Sequence, residues 1–197
     1  MYYRDDTMNK QQEKEILLAS DVHKKLVLCL PKAIGTLCFK YLMNIKHSLI
    51  EAANMKDIRL VRYLVSKNID LNGRNKDGDT ALMLAAHNGY DKCVAILAKT
   101  SELGMKNKDG DTALMLAAET GHDKCVAIMA NTKELGIKNK DRDTALILAT
   151  QNGYDRCVVI LAKTNELGMK NKDGDTALTL AAKYKRNTCM EILANIM

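Results

Sequence analysis

The block Lys-Asp-Gly-Asp-Thr-Ala-Leu starts at Lys76, returns at Lys108 and Lys172, and appears at Lys140 with Arg142 in the glycine position. These starts fall 32 residues apart. Fixed self-similarity at about 20–50 residues marks small units that cannot bury an apolar face alone and must stack on their neighbours. Such a stack presents an elongated binding surface rather than a deep catalytic pocket. The four copies align without gaps from Lys76 to Met197.

Within each copy, Thr80, Thr112, Thr144 and Thr176 precede Ala-Leu and a run of small residues. A threonine after a turn and before an apolar run suits an N-cap, whose oxygen accepts from an otherwise orphan backbone N–H. Apolar residues then return at helical spacing from Ala81 to Ala98, and Gly89 falls where the first helix must stop in a left-handed conformation. Helix, glycine stop, helix and turn form the predicted unit.

This unit resembles the ankyrin repeat, which sets Asp or Asn five residues before a Thr-Pro-Leu-His box, then Leu-Ala-Ala, a glycine and a second helix. Asn75, Gly78, Thr80, Leu82, Leu84, Ala85, Ala86, Gly89, Val94 and Leu97 fall on that pattern. The resemblance runs over residues 48–197, roughly three quarters of the chain. It implies an all-α ankyrin-repeat solenoid of helix-turn-helix units joined by β-hairpin-like turns. The expected repeats are about 45–74, 75–106, 107–138, 139–170 and 171–197, the first a divergent cap. Residues 1–44 are expected to form a short helical leader that docks on the first repeat, because Val22–Leu30 is too apolar to stay in water. An amphipathic membrane or partner helix is the alternative for that segment.

Departures from the family pattern are informative. The boxes read Thr-Ala-Leu-Met at Thr80 and Thr112, Thr-Ala-Leu-Ile at Thr144 and Thr-Ala-Leu-Thr at Thr176, so proline and histidine are both missing. Without proline a preset helix-start dihedral is lost. Without histidine a polar group that ties neighbouring turns together in the family is lost, so hydrogen bonding between repeats is expected to suffer while the units still stack. The shortened turn Glu-Leu-Gly-Met-Lys-Asn accounts for the 32-residue unit. In these features the chain is similar to ankyrin arrays of diplomonad protists, including arrays linked to NIMA-related kinases. It carries no glycine-rich phosphate loop, His-Arg-Asp loop or Asp-Phe-Gly of a kinase.

Other chemistries find little support. Cys93, Cys125, Cys157 and Cys189 share one position of successive second helices. Packed helices lie about 10 Å apart, beyond the roughly 7 Å Cα separation that a disulfide spans, so these thiols read as buried small hydrophobes. With Cys29 and Cys38 also unpaired, a reducing, cytoplasmic setting is expected. His122 sits just after a glycine stop, where a structural role fits, and His122-x-x-Cys125 lacks the further ligands that zinc requires. His23, His47 and His87 stand alone, so no catalytic residue, metal or cofactor is expected. Asp77-Gly78-Asp79 and its copies lead straight into a helix start, which favours a turn over a calcium loop. Arg142 should then carry a strain of about 1 kcal/mol in a glycine conformation.

From Asn75 onward 17 basic residues face 16 acidic ones, a mixed surface that does not suit nucleic acid. Only Lys183-Tyr-Lys-Arg186 is locally basic, as a solvated end repeat would be. Lys32 and Lys40 interrupt the most apolar stretch, so no spanning helix is expected.

The resemblance implies a protein partner at the turn tips and the concave face of the first helices. The corresponding tips here are Lys76, Asp77, Asp79, Lys108, Asp109, Asp111, Arg142 and Asp143. The positions where the near-identical copies disagree form two rows: His87, Glu119, Gln151 and Lys183, then Asn88, Thr120, Asn152 and Tyr184. The expected function is a non-catalytic, monomeric scaffold or adaptor. The alternative is a regulatory or targeting module of a kinase-associated or host-directed effector system. Asn72 also falls near an ankyrin asparagine-hydroxylation pattern.

Overall fold

The computed structural model describes residues 49–68, 71 and 73–196. The expected leader, residues 1–44, and Asn72 lie outside the described residues. The described chain holds ten helices in five pairs: α1 Leu49–Asn54 with α2 Ile58–Ser66, α3 Ala81–His87 with α4 Asp91–Leu97, and α5 Ala113–Glu119 with α6 Asp123–Met129. They continue with α7 Ala145–Asn152 and α8 Asp155–Leu161, then α9 Ala177–Lys183 and α10 Asn187–Ala194. No strand occurs among the described residues. First helices pack on first helices (α1, α3, α5, α7, α9) and second on second (α2, α4, α6, α8, α10), giving two layers.

Each helix starts and stops as its residues dictate. Thr80, Thr112, Thr144 and Thr176 take extended backbone angles and accept from the amide three residues on, at 3.3–3.4 Å. Gly89, Gly121 and Gly153 end the first helices at φ 71°, 77° and 77°. Helices this short, seven or eight residues in the repeats, are marginal in isolation, so packing must hold them. The middle helix α5 is buried from Ala113 to Ala118, sandwiched between two first helices and its own second helix.

The core is made of small and medium side chains. Leu82, Leu114 and Leu146 fill one column at 0% exposure, while Cys93, Cys125, Cys157 and Cys189 fill another at 0%. These four thiols are free. Burial, with help from neighbouring aspartates, pushes Cys125 up to about 11 and Cys157 up to about 12, so both stay protonated and unreactive near neutrality.

Hydrogen bonding between repeats does not suffer from the missing histidine; other groups supply it. The structure corrects the expectation through three columns. At the tips, the amides of Lys108, Lys140 and Lys172 donate to Asp77, Asp109 and Asp141 carbonyls of the preceding repeat at 2.8–3.1 Å. Asn107 Nδ2 reaches Asp79 Oδ1 at 2.9 Å and Asn139 Nδ2 reaches Asp111 Oδ1 at 2.8 Å. Also at the starts of the first helices, Glu102, Glu134 and Glu166 are buried to 1–2% exposure. Glu134 accepts from Leu114 N at the start of α5 and from Gly104 N of the preceding repeat, both at 2.7 Å. Glu166 does the same with Leu146 N and Gly136 N, at 2.8 and 2.7 Å. A carboxylate at a helix start also meets the positive end of the backbone dipoles.

Glycine stops carry a second duty. A Cβ on Gly89 would lie 2.5 Å from His122 Nδ1, and one on Gly121 would lie 2.5 Å from Tyr154 Cδ1. Gly89 and Gly121 are thus the floor under a ring from the next repeat, and Gly153 lies under the Arg186 side chain, whose Cδ is 3.0 Å from a would-be Cβ. His122 Nε2 also lies 3.0 Å from the His87 carbonyl, which gives it the structural role its position implies.

At the tips Gly78, Gly110 and Gly174 adopt φ 84–86°, and Arg142 is forced to φ 63° in the same place. An L-residue pays there for the crowding of its Cβ. Arg142→Gly is therefore expected to raise stability by up to about 0.5 kcal/mol, the relief of strain less the glycine's extra unfolded-state entropy. A urea midpoint that stays put or falls would count against the strain.

Candidate functional site

The tips are rigid because their side chains hold their own backbone. Asn75 Oδ1 accepts from Asp77 N at 2.9 Å and from Asp79 N at 2.8 Å, and Asn107, Asn139 and Asn171 repeat the arrangement. This is turn chemistry, with the asparagine closing the loop that leads to the threonine cap. Lys76, Asp77, Lys108, Asp109 and Arg142 are exposed on it, Asp79 and Asp111 are half-buried, and Asp143 is 8% exposed.

Of the first row, His87, Glu119 and Lys183 are exposed and Gln151 is half-buried. The second row is partly occupied with its own helices. Asn88 Nδ2 donates to Leu84 O at 2.9 Å, Asn152 Nδ2 to Leu148 O at 3.0 Å, and Thr120 Oγ1 to Leu116 O at 2.7 Å. Tyr184 is 48% exposed. These groups are therefore capping residues as well as surface positions.

Tips and first-helix row meet in one place. A pocket of about 360 Å³ opens between the third and fourth repeats, lined by Asp109, Asp111, Glu119, Asn139, Lys140, Asp141, Asp143 and Leu148. Four of the predicted residues, Asp109, Asp111, Glu119 and Asp143, line it together. Burial raises the carboxyl pKa of Asp111, Glu119 and Asp143; the neighbouring carboxylates add to this, while the Asn139 and Asn171 amides oppose it at Asp111 and Asp143. His87 pulls Glu119 the other way, which places these two members of the first row within electrostatic reach of each other. Among the described residues no three His, Cys, Asp or Glu side chains are grouped to hold a metal ion.

In the last repeat the same two columns form a bond. Lys183 stands in the column of Glu119, and its Nζ pairs with Asp175 Oδ2 at 3.1 Å, in the column of Asp111 and Asp143. Sequence reading found the tips and rows but missed Asn139, Lys140 and Asp141 as their companions. The offset of 32 residues that aligns Lys108 with Lys140 could have supplied them, since each groove is built from two successive tips.

Two layers of stacked helix pairs with tip turns along one edge define a helical repeat protein of the solenoid class. Residues 49–134 and 127–196 match the family of ankyrin repeats (3 copies), and the chain belongs to that family. Ankyrin repeats generally mediate protein–protein interaction. A comparison with curated proteins finds no match to the sequence. Among the described residues no helix is long and apolar enough to cross a membrane.

Proposed function

We propose that this chain is a non-catalytic scaffold or adaptor, working as a monomer, that grips a protein partner through its turn tips and the concave face of its first helices. The carrying observation is the pocket that joins Asp109, Asp111 and Asp143 of the tips to Glu119 of the first-helix row. Rigid tips favour binding because little side-chain or loop entropy remains to be lost on association. Unpaired, buried cysteines suit a reducing, cytoplasmic setting.

The test is a crosslinked pull-down from native lysate with lysine-reactive reagent, comparing the wild type with a variant carrying His87→Ala, Glu119→Ala, Gln151→Ala and Lys183→Ala. A specific protein crosslinked to Lys76, Lys108 or Lys140 and lost with the variant is expected. A partner retained by the variant, or crosslinked only to the second helices, overturns the site. Recovery of an enzyme whose activity the array changes would favour the regulatory or targeting reading over a passive scaffold.

A further inference from the structure

From Asn75 onward 17 basic residues balance 16 acidic ones, yet the outward face of the second helices is not balanced. The third, fourth and seventh residues of these helices are core: Cys93, Val94 and Leu97 in α4 are all at 0% exposure. Helical geometry then turns the second, fifth and sixth residues outward. The second residue is Arg59 in α2, Lys92 in α4, Lys124 in α6 and Arg156 in α8, an exposed cationic column. Arg62 at the fifth residue of α2, and Lys99 and Lys163 two residues past the ends of α4 and α8, are exposed cations of the same face. No carboxylate takes an outward position from α2 to α8. In α10 the pattern ends, with Thr188 in the second place and Glu191 in the fifth. Asp91, Asp123 and Asp155, the first residues of α4, α6 and α8, are half-buried. Arg156 lies 3.6 Å from Asp123, a surface pair of little strength.

Beside the cations runs an apolar column. One turn on from each, the sixth residue is Tyr63, Ile96, Ile128 and Ile160, and Val159 adds to it in α8. Ile128 and Val159 are 37% and 39% exposed, and Ile96 and Ile160 are half-buried. A half-buried aliphatic residue by itself is ordinary helix packing. A line of them bordered by long basic side chains and no carboxylate is an apolar floor beside basic ridges, and it selects an occupant that is both apolar and anionic.

Nucleic acid brings phosphates but leaves the isoleucines unused, and the face lacks a row of stacking aromatics. A bilayer takes up apolar side chains about 5–10 Å below the headgroup boundary, a depth that half-buried residues on packed helices do not reach past the lysines. An acidic amphipathic helix satisfies both needs, since its own apolar side chains descend to the floor while its carboxylates meet the ridges. The spacing also agrees. Packed helices lie about 10 Å apart, and seven residues of α-helix rise about 10.5 Å, so a helix laid across the layer returns an apolar residue over each second helix. From α2 to α8 it would span about 30 Å, or about 20 residues.

We propose that the outward face of α2, α4, α6 and α8 docks an acidic amphipathic helix of a protein partner, laid across the second helices. Its apolar side chains rest on the isoleucine column and its carboxylates pair with the cations at the second residues. This face belongs to the other layer from the first-helix rows, so it stands or falls apart from the concave-face reading.

The probe is an acetylated peptide of three copies of Leu-Glu-Ala-Leu-Glu-Glu-Glu, titrated calorimetrically into the full chain at low salt. A second arm uses the same peptide with serine for each leucine. Saturable binding of the leucine peptide is expected, weakened about tenfold by Lys124→Gln with Arg156→Gln. Ile128→Thr, which keeps every charge, should weaken it about fivefold. All three positions are exposed, and a thermal melt checks that each variant is folded. Lys133→Gln with Lys170→Gln, which removes two exposed charges from loops outside these helices, should leave binding unchanged. Equal binding of the serine peptide would reduce the face to unspecific charge and overturn the proposal. An absence of saturable binding, or an equal loss with the loop variant, overturns it too. Sedimentation with phosphatidylserine vesicles that is lost in Lys124→Gln with Arg156→Gln, while the leucine peptide stays unbound, would assign the face to a bilayer instead.

Discussion

Glu134→Ala is expected to lower the unfolding free energy by about 3 kcal/mol, far more than a change to an exposed charged residue of the array. The side chain is 1% exposed, and its two oxygens are the acceptors for Leu114 N and Gly104 N at 2.7 Å. Truncation orphans the buried Leu114 amide and the half-buried Gly104 amide, at roughly 1–3 kcal/mol for a buried one before any water enters. One amide begins α5 and the other belongs to the preceding repeat, so the same cut loosens a helix start and a repeat interface together. The neighbouring Lys133→Ala, at an exposed position, should change stability by less than about 0.5 kcal/mol. Chemical denaturation of the three proteins decides it, and a Glu134→Ala midpoint equal to that of Lys133→Ala would remove the staple from the account.

A second readout follows from the same burial. Desolvation raises the Glu134 carboxyl above 4.5, with the Gly104 and Leu114 amides and the Thr112 hydroxyl acting against it. A carboxyl with a raised folded-state pKa binds its proton more tightly in the folded chain than in the unfolded one. Its contribution is thus fully present below about 4.5 and is lost as pH rises through the folded value. Glu134→Gln removes this titration, so the fall in stability with rising pH should be shallower than in the wild type. Glu166, raised for the same reason, keeps part of the slope in both proteins.

That staple was not legible as one, although the chain contained a clue. Read singly, Glu102, Glu134 and Glu166 look like solvated turn residues, which glutamates usually are. Yet the residue just before each varies, Ser101, Lys133 and Asn165, while the glutamate does not. A charged residue that repeats where its neighbour drifts is under a constraint the turn alone does not impose. The threonine caps, glycine stops and cysteine column were readable because each depends on local conformation or apolar periodicity, which a single repeat displays. The histidine's missing bond was read as a loss because its replacements lie about 20 and 30 residues from their donors, Leu114 and Gly104. The site followed the same division. Tips and rows came from the repeat pattern, whereas the pocket that joins them to Asn139, Lys140 and Asp141 depends on the spacing of two tips, which no residue pattern encodes.

Gly121→Ala is the other change expected to cost most, about 2–5 kcal/mol, and it separates the two duties of a stop glycine. Left-handed backbone at φ 77° penalises any L-residue by about 1–2 kcal/mol. The added Cβ would also lie 2.5 Å from Tyr154 Cδ1, so the ring of the next repeat must move, at a further cost of roughly 1–3 kcal/mol for overpacking. Gly174→Ala supplies the reference, since Gly174 has φ 84° but nothing within 4 Å of its would-be Cβ. It should pay for conformation alone. The excess of Gly121→Ala over Gly174→Ala therefore measures the close approach between repeats. Adding Tyr154→Ala to Gly121→Ala removes the obstacle, so the double variant should be destabilised by less than the sum of the singles, by about 1 kcal/mol or more. Additive energies, together with equal losses at Gly121 and Gly174, would reduce the stop glycines to helix terminators. Coupling would make each stop part of the interface that fixes the spacing of successive tips, and with it the width of the pocket that Asp111 and Asp143 share.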